Sequence, residues 1–256
     1  MTNKLSLRRT QDTVNPTGLS PEHLRFLTED TYFAGELVQY QELMMMYNCA
    51  IHEVRTKLEV LNADLSVRYQ RNPIEFISYR IKKPASLIRK MKSRGIPVTV
   101  SAIEGNIHDV AGVRVICSFI DDIYVVAEML TCQDDITLVQ TKDYIKNPKD
   151  NGYRSLHLLI DIPVFFSDQK KTMRVEVQIR TIAMDFWANL EHQIKYKHVI
   201  QNEEEISAEL KDCAETIAAT DRKMMSIRDK IEAGKTEDPL DEDLLERLAG
   251  FRIPTA

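Results

Sequence analysis

Residues 173–180, "MRVEVQIR", alternate without a break. Met173, Val175, Val177 and Ile179 fall on one side of the chain; Arg174, Glu176, Gln178 and Arg180 fall on the other. A period of two is the pattern of a β-strand with one apolar face. The polar face sets a carboxylate and an amide between two guanidiniums. Such a row suits the floor of a Mg²⁺-nucleotide site, where the carboxylate holds metal or accepts a proton and the guanidiniums balance phosphate charge. It also suits a wet strand face crossed by ion pairs, and on this segment alone that plainer reading is favoured.

Four other segments carry chemistry of a related kind. In "HDVAGVRVI", His108–Ile116, Asp109 stands just before a strand, Gly112 allows close approach to the backbone, and Arg114 projects from the strand. Acids at strand ends suit phosphoryl transfer, because Mg²⁺ takes few protein oxygens and shares the rest with phosphate; an Asp in a turn before a strand is also common. "YRIKKPASLIRKMKSR", Tyr79–Arg94, packs Arg80, Lys82, Lys83, Arg89, Lys90, Lys92 and Arg94 into an acidic chain, and Lys83, Lys90 and Arg94 share a helical face. A charge run is usually a solvated face; its concentration here raises the phosphate reading. In "KDYIKNPKDNGYRSLHL", Lys142, Lys146 and Lys149 precede a "DNG" turn, followed by Tyr153, Arg154 and His157. A Tyr beside cations can stack a base and hold its phosphates, or it can be a structural Tyr in a Lys-rich loop. Finally, "AMDFWANLEHQIKYKH" holds the only Trp, Trp187, with Asp185 in a helix's first turn, where it suits the helix dipole. Its Glu191–His192 pair lacks the HExxH spacing of a zinc site. Each segment is weak alone. Paired acids, basic clusters and a stacking Tyr on one core together point to metal-dependent phosphoryl transfer on nucleotides.

The elements that must position these residues read as a mixed α+β sheet with helices against it. Val113–Phe119 is a buried strand, and "ITLVQT", "SLHLLIDI" and "MRVEVQIR" are three more. Pro84–Arg94 is a basic helix closed by Gly95, and Asp122–Cys132 is amphipathic. Thr181 caps a helix with Phe186, Leu190 and Ile194 on one face. Ser20 and Pro21 open a long N-terminal helix whose stripe runs Leu37, Tyr40, Met44, Tyr47, Ile51, Val54, Leu58, Leu61, Leu65. A C-terminal stripe runs Ile206, Leu210, Cys213, Ile217, Thr220, Met224, Ile227, Ile231, so the two could clasp each other or a neighbouring subunit.

The chain has 256 residues, 43% hydrophobic and 29% charged, with net charge −5. This allows one sizeable core and disfavours a general polyanion binder, so a nucleotide site must be a local basic cluster. The cysteines, Cys49, Cys117, Cys132 and Cys213, form no CxxC pair and read as buried free thiols in a reducing compartment. With no secretory signal and no apolar run long enough to span a bilayer, a soluble cytoplasmic protein without a membrane partner is expected.

"YRIKKPASLIRKMK", "DVAGVRVIC", "DYIKNPKDNGYRSLHL", "EVQIRT" and "AMDFWANLEHQIKYK", in that order, resemble the synthetase domain of the RelA/SpoT homologues, and the chain resembles their single-domain small alarmone synthetases. The resemblance covers residues 73–198 closely. It implies a nucleotidyltransferase-like mixed sheet surrounded by helices, with long N- and C-terminal helices. It also implies transfer of the β,γ-pyrophosphate of ATP to the ribose 3′-OH of GDP or GTP, giving ppGpp or pppGpp plus AMP. By the same resemblance, Asp109 and Glu176 serve Mg²⁺ and Glu176 activates the 3′-OH. Arg80, Lys82, Lys90 and Arg114 bind ATP. Tyr153 stacks on guanine, with Lys142, Lys149, His157 and Gln178 about the acceptor, and Asp185 is a candidate for the guanine edge. One synthetase domain is expected over 20–235, with its core at 73–200 between helices at 20–71 and 203–233. A mobile tail is expected at 1–19 and an acidic linker and tail at 236–256. Small members are commonly homotetramers. With no hydrolase-type metal cluster upstream and no ribosome-linked regulatory region downstream, synthesis without hydrolysis is expected. Asp185 stands where alarmone-activated members tend to have Asn, which argues against that activation here. The competing readings are a relative that pyrophosphorylates the tRNA 3′ end or makes adenosine alarmones, a binder of single-stranded RNA, and a structural helical oligomer.

Overall fold

The computed structural model describes residues 21–69, 71–197 and 202–234. Ser20, the tail at 1–19 and the acidic segment at 236–256 lie outside the described residues. In chain order the elements are α1 (Pro21–Tyr69), β1 (Ile74–Ile81), α2 (Pro84–Ser93), α3 (Val100–Asn106), β2 (Ala111–Cys117), α4 (Ile120–Thr131), β3 (Thr137–Asp143), β4 (Leu156–Phe165), β5 (Lys170–Thr181), α5 (Ile182–Lys197) and α6 (Glu203–Ala233).

The five strands form one sheet in the order β1-β2-β5-β4-β3. Only β2 and β5 run parallel; the other pairs are antiparallel. One face of the sheet is apolar: Val113, Val115, Val175, Val177, Ile179, Leu158 and Ile160 are all buried. The α1 stripe Tyr47, Ile51, Val54 and Leu58 is buried with them in a single core. That stripe is therefore an intramolecular packing surface, and its N-terminal member Leu37 runs out into solvent. With one face of the sheet sealed, the polar residues of the alternating strands are left on the other.

Local signals explain most boundaries. Pro84 occupies the first turn of α2, where its missing N–H costs nothing. Gly95 ends that helix at φ +66, in the left-handed region that favours glycine. Thr181 Oγ1 accepts from the Met184 N–H at 3.1 Å and caps α5, as its position suggests.

Three expectations are corrected. The buried face of α6 is Ala214, Ala218 and Asp221, while Met224, Ile227 and Ile231 are exposed. The helix comes close because small residues face inward: Gly152, at φ +85, lies against Ala214. Hydrophobicity alone underweights such a face. Second, strand β1, "IEFISYRI", and the seven-residue helix α3 escape the sequence pattern, since β1 is an edge strand with irregular burial. Third, all four cysteines are free, but Cys132 and Cys213 are exposed and only Cys117 is fully buried.

Candidate active site

Register places the polar side chains in two adjacent rows across the whole sheet. The first row is Arg80, Gly112, Glu176, Leu159 and Gln140; the second is Ser78, Arg114, Gln178, His157 and Lys142. Because side chains alternate, both rows face the same side. Residues distant in sequence thus meet through strand pairing alone.

The first row's centre opens into a cleft of about 110 Å³ lined by Lys90, Asp109, Lys142, His157 and Glu176 among others. Asp109, just before β2, is held by Lys82 Nζ at 2.6 Å and Lys90 Nζ at 2.7 Å. Burial pushes its carboxyl up, but hydrogen bonds from Lys82 and Lys90 outweigh this and leave it below its ordinary value. On Glu176, burial likewise acts upward; hydrogen bonds from His157 and Gln178 overcome it, and the net shift is again downward. Both acids are therefore ionised at neutral pH. His108 also lines this cleft, with its Nδ1 buried and unpartnered.

Two hard carboxylates and no third ligand describe the donor set, since among the described residues no cluster of three His, Cys, Asp or Glu could hold a metal alone. That set fits Mg²⁺, which binds through one or two carboxylates and completes its shell with phosphate and water.

The strand that opens the sequence reading divides in function along its length. Arg174 makes a two-pronged ion pair with Asp161, its register partner on β4, at 2.8 Å for each bond. The ion-paired strand face is thus correct for that end. Glu176 and Gln178 lie at the centre of the polar rows. Arg180 is buried, 3% exposed, and donates to Gln178 Oε1 at 2.8 Å and Tyr153 Oη at 3.0 Å.

A second cleft, of about 280 Å³, is lined by Ser78, Tyr79, Arg80, Gly112, Val113, Arg114 and Gln178. The residues expected for ATP and for the acceptor do not sort cleanly between the two clefts. Arg80 and Arg114 lie in the second, whereas Lys90 and Asp109 lie in the first. Of the acceptor group, Lys142 and His157 line the first and Gln178 the second. Gly112 has no clash to avoid: a Cβ there would stand 3.8 Å from Arg80, so its bareness serves cleft volume.

Tyr153 differs from the exposed platform expected of it. Its ring is half-buried, with Lys149 Nζ 4.8 Å and the Arg180 guanidinium 5.4 Å from the ring centre, and its hydroxyl meets His157 Nε2 at 2.9 Å. Asp185, 9% exposed, has partners on both oxygens: Arg180 and Arg114 at Oδ1, 3.2 and 3.3 Å, and Asn189 at Oδ2, 2.8 Å. Its place is within this cation network and not at an open guanine edge. Arg154, next to Tyr153 in the Lys-rich segment, grips Glu215 of α6 with two 2.9 Å bonds. In the sequence Arg180 reads as one of two guanidiniums balancing phosphate charge; the structure buries it instead against Gln178, Tyr153 and Asp185.

A mixed five-stranded sheet, sealed by helices on one face and carrying two acids among basic side chains on the other, defines a nucleotide-handling phosphoryl-transfer fold. Residues 79–201 match the family described as the region found in RelA/SpoT proteins. The chain is 41% identical over 189 residues to GTP pyrophosphokinase YwaC of Bacillus subtilis, covering 74% of this chain and 90% of that one. It is 36% identical to GTP pyrophosphokinase YjbM of the same organism, covering 76% and 90% respectively. It superposes on small alarmone synthetase 1 of B. subtilis, solved with its product pppGpp, with a TM-score of 0.69 and 36% identity, covering 75% of this chain and 98% of that one. The chain belongs to the RelA/SpoT family, and its relatives there include small alarmone synthetases.

Proposed function

We propose that this protein transfers the β,γ-pyrophosphate of ATP to the ribose 3′-OH of GDP or GTP. The 3′-oxygen attacks the β-phosphorus, the bond from that phosphorus to the α,β-bridging oxygen breaks, and AMP leaves. The carrying observation is the pair Asp109 and Glu176 in one cleft walled by Lys90 and Lys142, with Lys82 paired to Asp109, in a chain related to GTP pyrophosphokinases.

The protein has little covalent work in such a reaction; it aligns reactants and stabilises spread charge. Bound Mg²⁺, held by Asp109 and Glu176, would offset charge on the transferring phosphates. Lys82 and Lys90 now share Asp109, so an entering triphosphate competes with that carboxylate for the same ammonium groups. Arg80 and Arg114 offer two guanidinium planes in the wider cleft for the adenine. Tyr153, Lys149, His157, Lys142 and Gln178 form the acceptor side. Glu176, ionised and central in the first row, takes the 3′-OH proton. Asp185 is assigned to holding Arg114 and Arg180. The exposed stripes Ile182, Phe186, Leu190 and Ile194 on α5, and Met224, Ile227 and Ile231 on α6, support assembly of copies into a homotetramer. No helix among the described residues is long and apolar enough to cross a membrane.

The test is to incubate pure protein with Mg²⁺, γ-labelled ATP and either GDP, GTP or uncharged tRNA, and to separate the products. Label on GDP or GTP with release of AMP is the expected result. Label on tRNA alone, or no transfer, overturns it.

A further inference from the structure

Glu176 and four other side chains close a ring. Arg180 donates to Tyr153 Oη (3.0 Å); Tyr153 Oη meets His157 Nε2 (2.9 Å); His157 Nδ1 meets Glu176 Oε1 (3.3 Å). On the other side Gln178 Nε2 donates to Glu176 Oε2 (2.8 Å), and Gln178 Oε1 accepts from the same Arg180 nitrogen (2.8 Å). Two fixed points set the ends of the ring: a guanidinium has donors only, and an ionised carboxylate has acceptors only. The Tyr153 oxygen therefore accepts from Arg180, and His157 Nδ1 carries a hydrogen towards Glu176. In the order proposed here Tyr153 gives its own hydrogen to His157 Nε2 and so completes the ring. By the same logic Arg180 turns the Gln178 carbonyl to itself and the amide N–H to Glu176.

The geometry points to Arg180 as a positioning residue: from outside both clefts, one guanidinium orients His157 and Gln178 so that each aims a donor at a different oxygen of Glu176. Two such donors fix the plane of the carboxylate, which sets the angle at which it meets a ribose hydroxyl or a metal. Arg180 is itself immobilised: buried at the end of β5, it is anchored by Asp185 Oδ1, whose other oxygen is held by Asn189 of α5. The first turn of α5 thus supports the reacting carboxylate through three side chains. The inference rests on Glu176 acting in pyrophosphate transfer, but its core, the hydrogen-bond order, is measurable without turnover.

The experiment uses the full chain with ¹⁵N-labelled histidine rings, the His157 signal being assigned by its loss in His157→Gln. In the wild type, His157 is expected with a hydrogen on Nδ1 and with Nε2 accepting a hydrogen bond; a hydrogen on Nε2 overturns the ring outright, with no variant required. In Arg180→Met the Nε2 signal should lose its hydrogen-bonded position. Turnover should fall about 100-fold with KM within about threefold, the pattern of lost catalytic alignment and not lost binding. Arg180→Lys, able to serve one branch of the ring but not both, should recover about tenfold of that loss. An unmoved His157 signal in Arg180→Met, or a raised KM at full turnover number, overturns the assignment. Failure of the wild type to transfer pyrophosphate would instead refute the proposed function and leave the ring intact.

Discussion

Gly152 is the position where a single methyl group should do most harm. Its φ of +85 costs a side-chain-bearing residue about 1–2 kcal/mol. A Cβ there would also lie 2.5 Å from Ala214 Cβ and 3.5 Å from the Lys211 Cα, so α6 or the loop must move. Overpacking of this kind costs a further 1–3 kcal/mol or so. Gly152→Ala should therefore destabilise by about 2–5 kcal/mol, lowering Tm by roughly 4–20 °C for a chain of this size. Gly95 supplies the control. It too has positive φ, +66, but nothing within 4 Å of a Cβ. Gly95→Ala should show the conformational cost alone, about 1–2 kcal/mol. Paired thermal denaturation by circular dichroism reads the difference. Equal Tm values for the two variants would refute the close approach of α6 to the "DNG" turn. Because Tyr153 follows Gly152 directly, Gly152→Ala should also weaken acceptor binding, while Gly95→Ala should not.

Three further outcomes follow from the site. Glu176→Gln should keep nucleotide binding by calorimetry but lose about 10²–10⁴-fold in turnover; retained turnover would remove Glu176 from the proton transfer. Asp109 and Glu176 both have carboxyls below their ordinary range when folded, so their contribution to stability is present above that range and is lost as pH falls through the depressed values. Denaturant midpoints of wild type and the Asp109→Asn variant should then converge on acidification, and a gap that widens as pH falls would reverse the sign. Asp221 is the opposite case: burial raises its carboxyl against the opposing hydrogen bond from Thr181, so its charge becomes a burden as pH rises through the raised value. Asp221→Asn, which still offers Thr181 an oxygen, should leave Tm at neutral pH unchanged or higher; a large drop would show that the charge itself holds α6.

The sequence made the sheet's centre legible because β5 and β4 alternate cleanly and Thr181 caps the next helix. Asp109 and Glu176 carried little signal one at a time; the basic clusters and the Tyr in the same core are what raised them to candidates. What stayed hidden depends on three-dimensional register. Nothing local tells that Arg174 meets Asp161 while Arg180, six residues on, meets Tyr153 and Asp185. Nor does a moment-like pattern find the inward face of α6, where Ala214 and Ala218 are buried because they are small. Strand β1 was obscured at its end, where Arg80 runs into Lys82 and Lys83 as a charge run, and the pairing with β2 that organises Arg80 is non-local.

The parallel contact of β2 and β5 sets the order in which this molecule can be made. These strands lie side by side at the sheet's centre, yet α4, β3 and β4 separate them along the chain. Asp109 sits at the mouth of one and Glu176 within the other. A hairpin such as β4–β5 can close early because its partners are neighbours, but the parallel pair must await a long loop closure. A nascent chain that has completed β2 therefore holds one carboxylate of the proposed pair and lacks the cleft that joins it to the other. The cleft that both acids line thus depends on the pairing with the greatest closure cost in the sheet, and a chain folded only through its hairpins does not contain it.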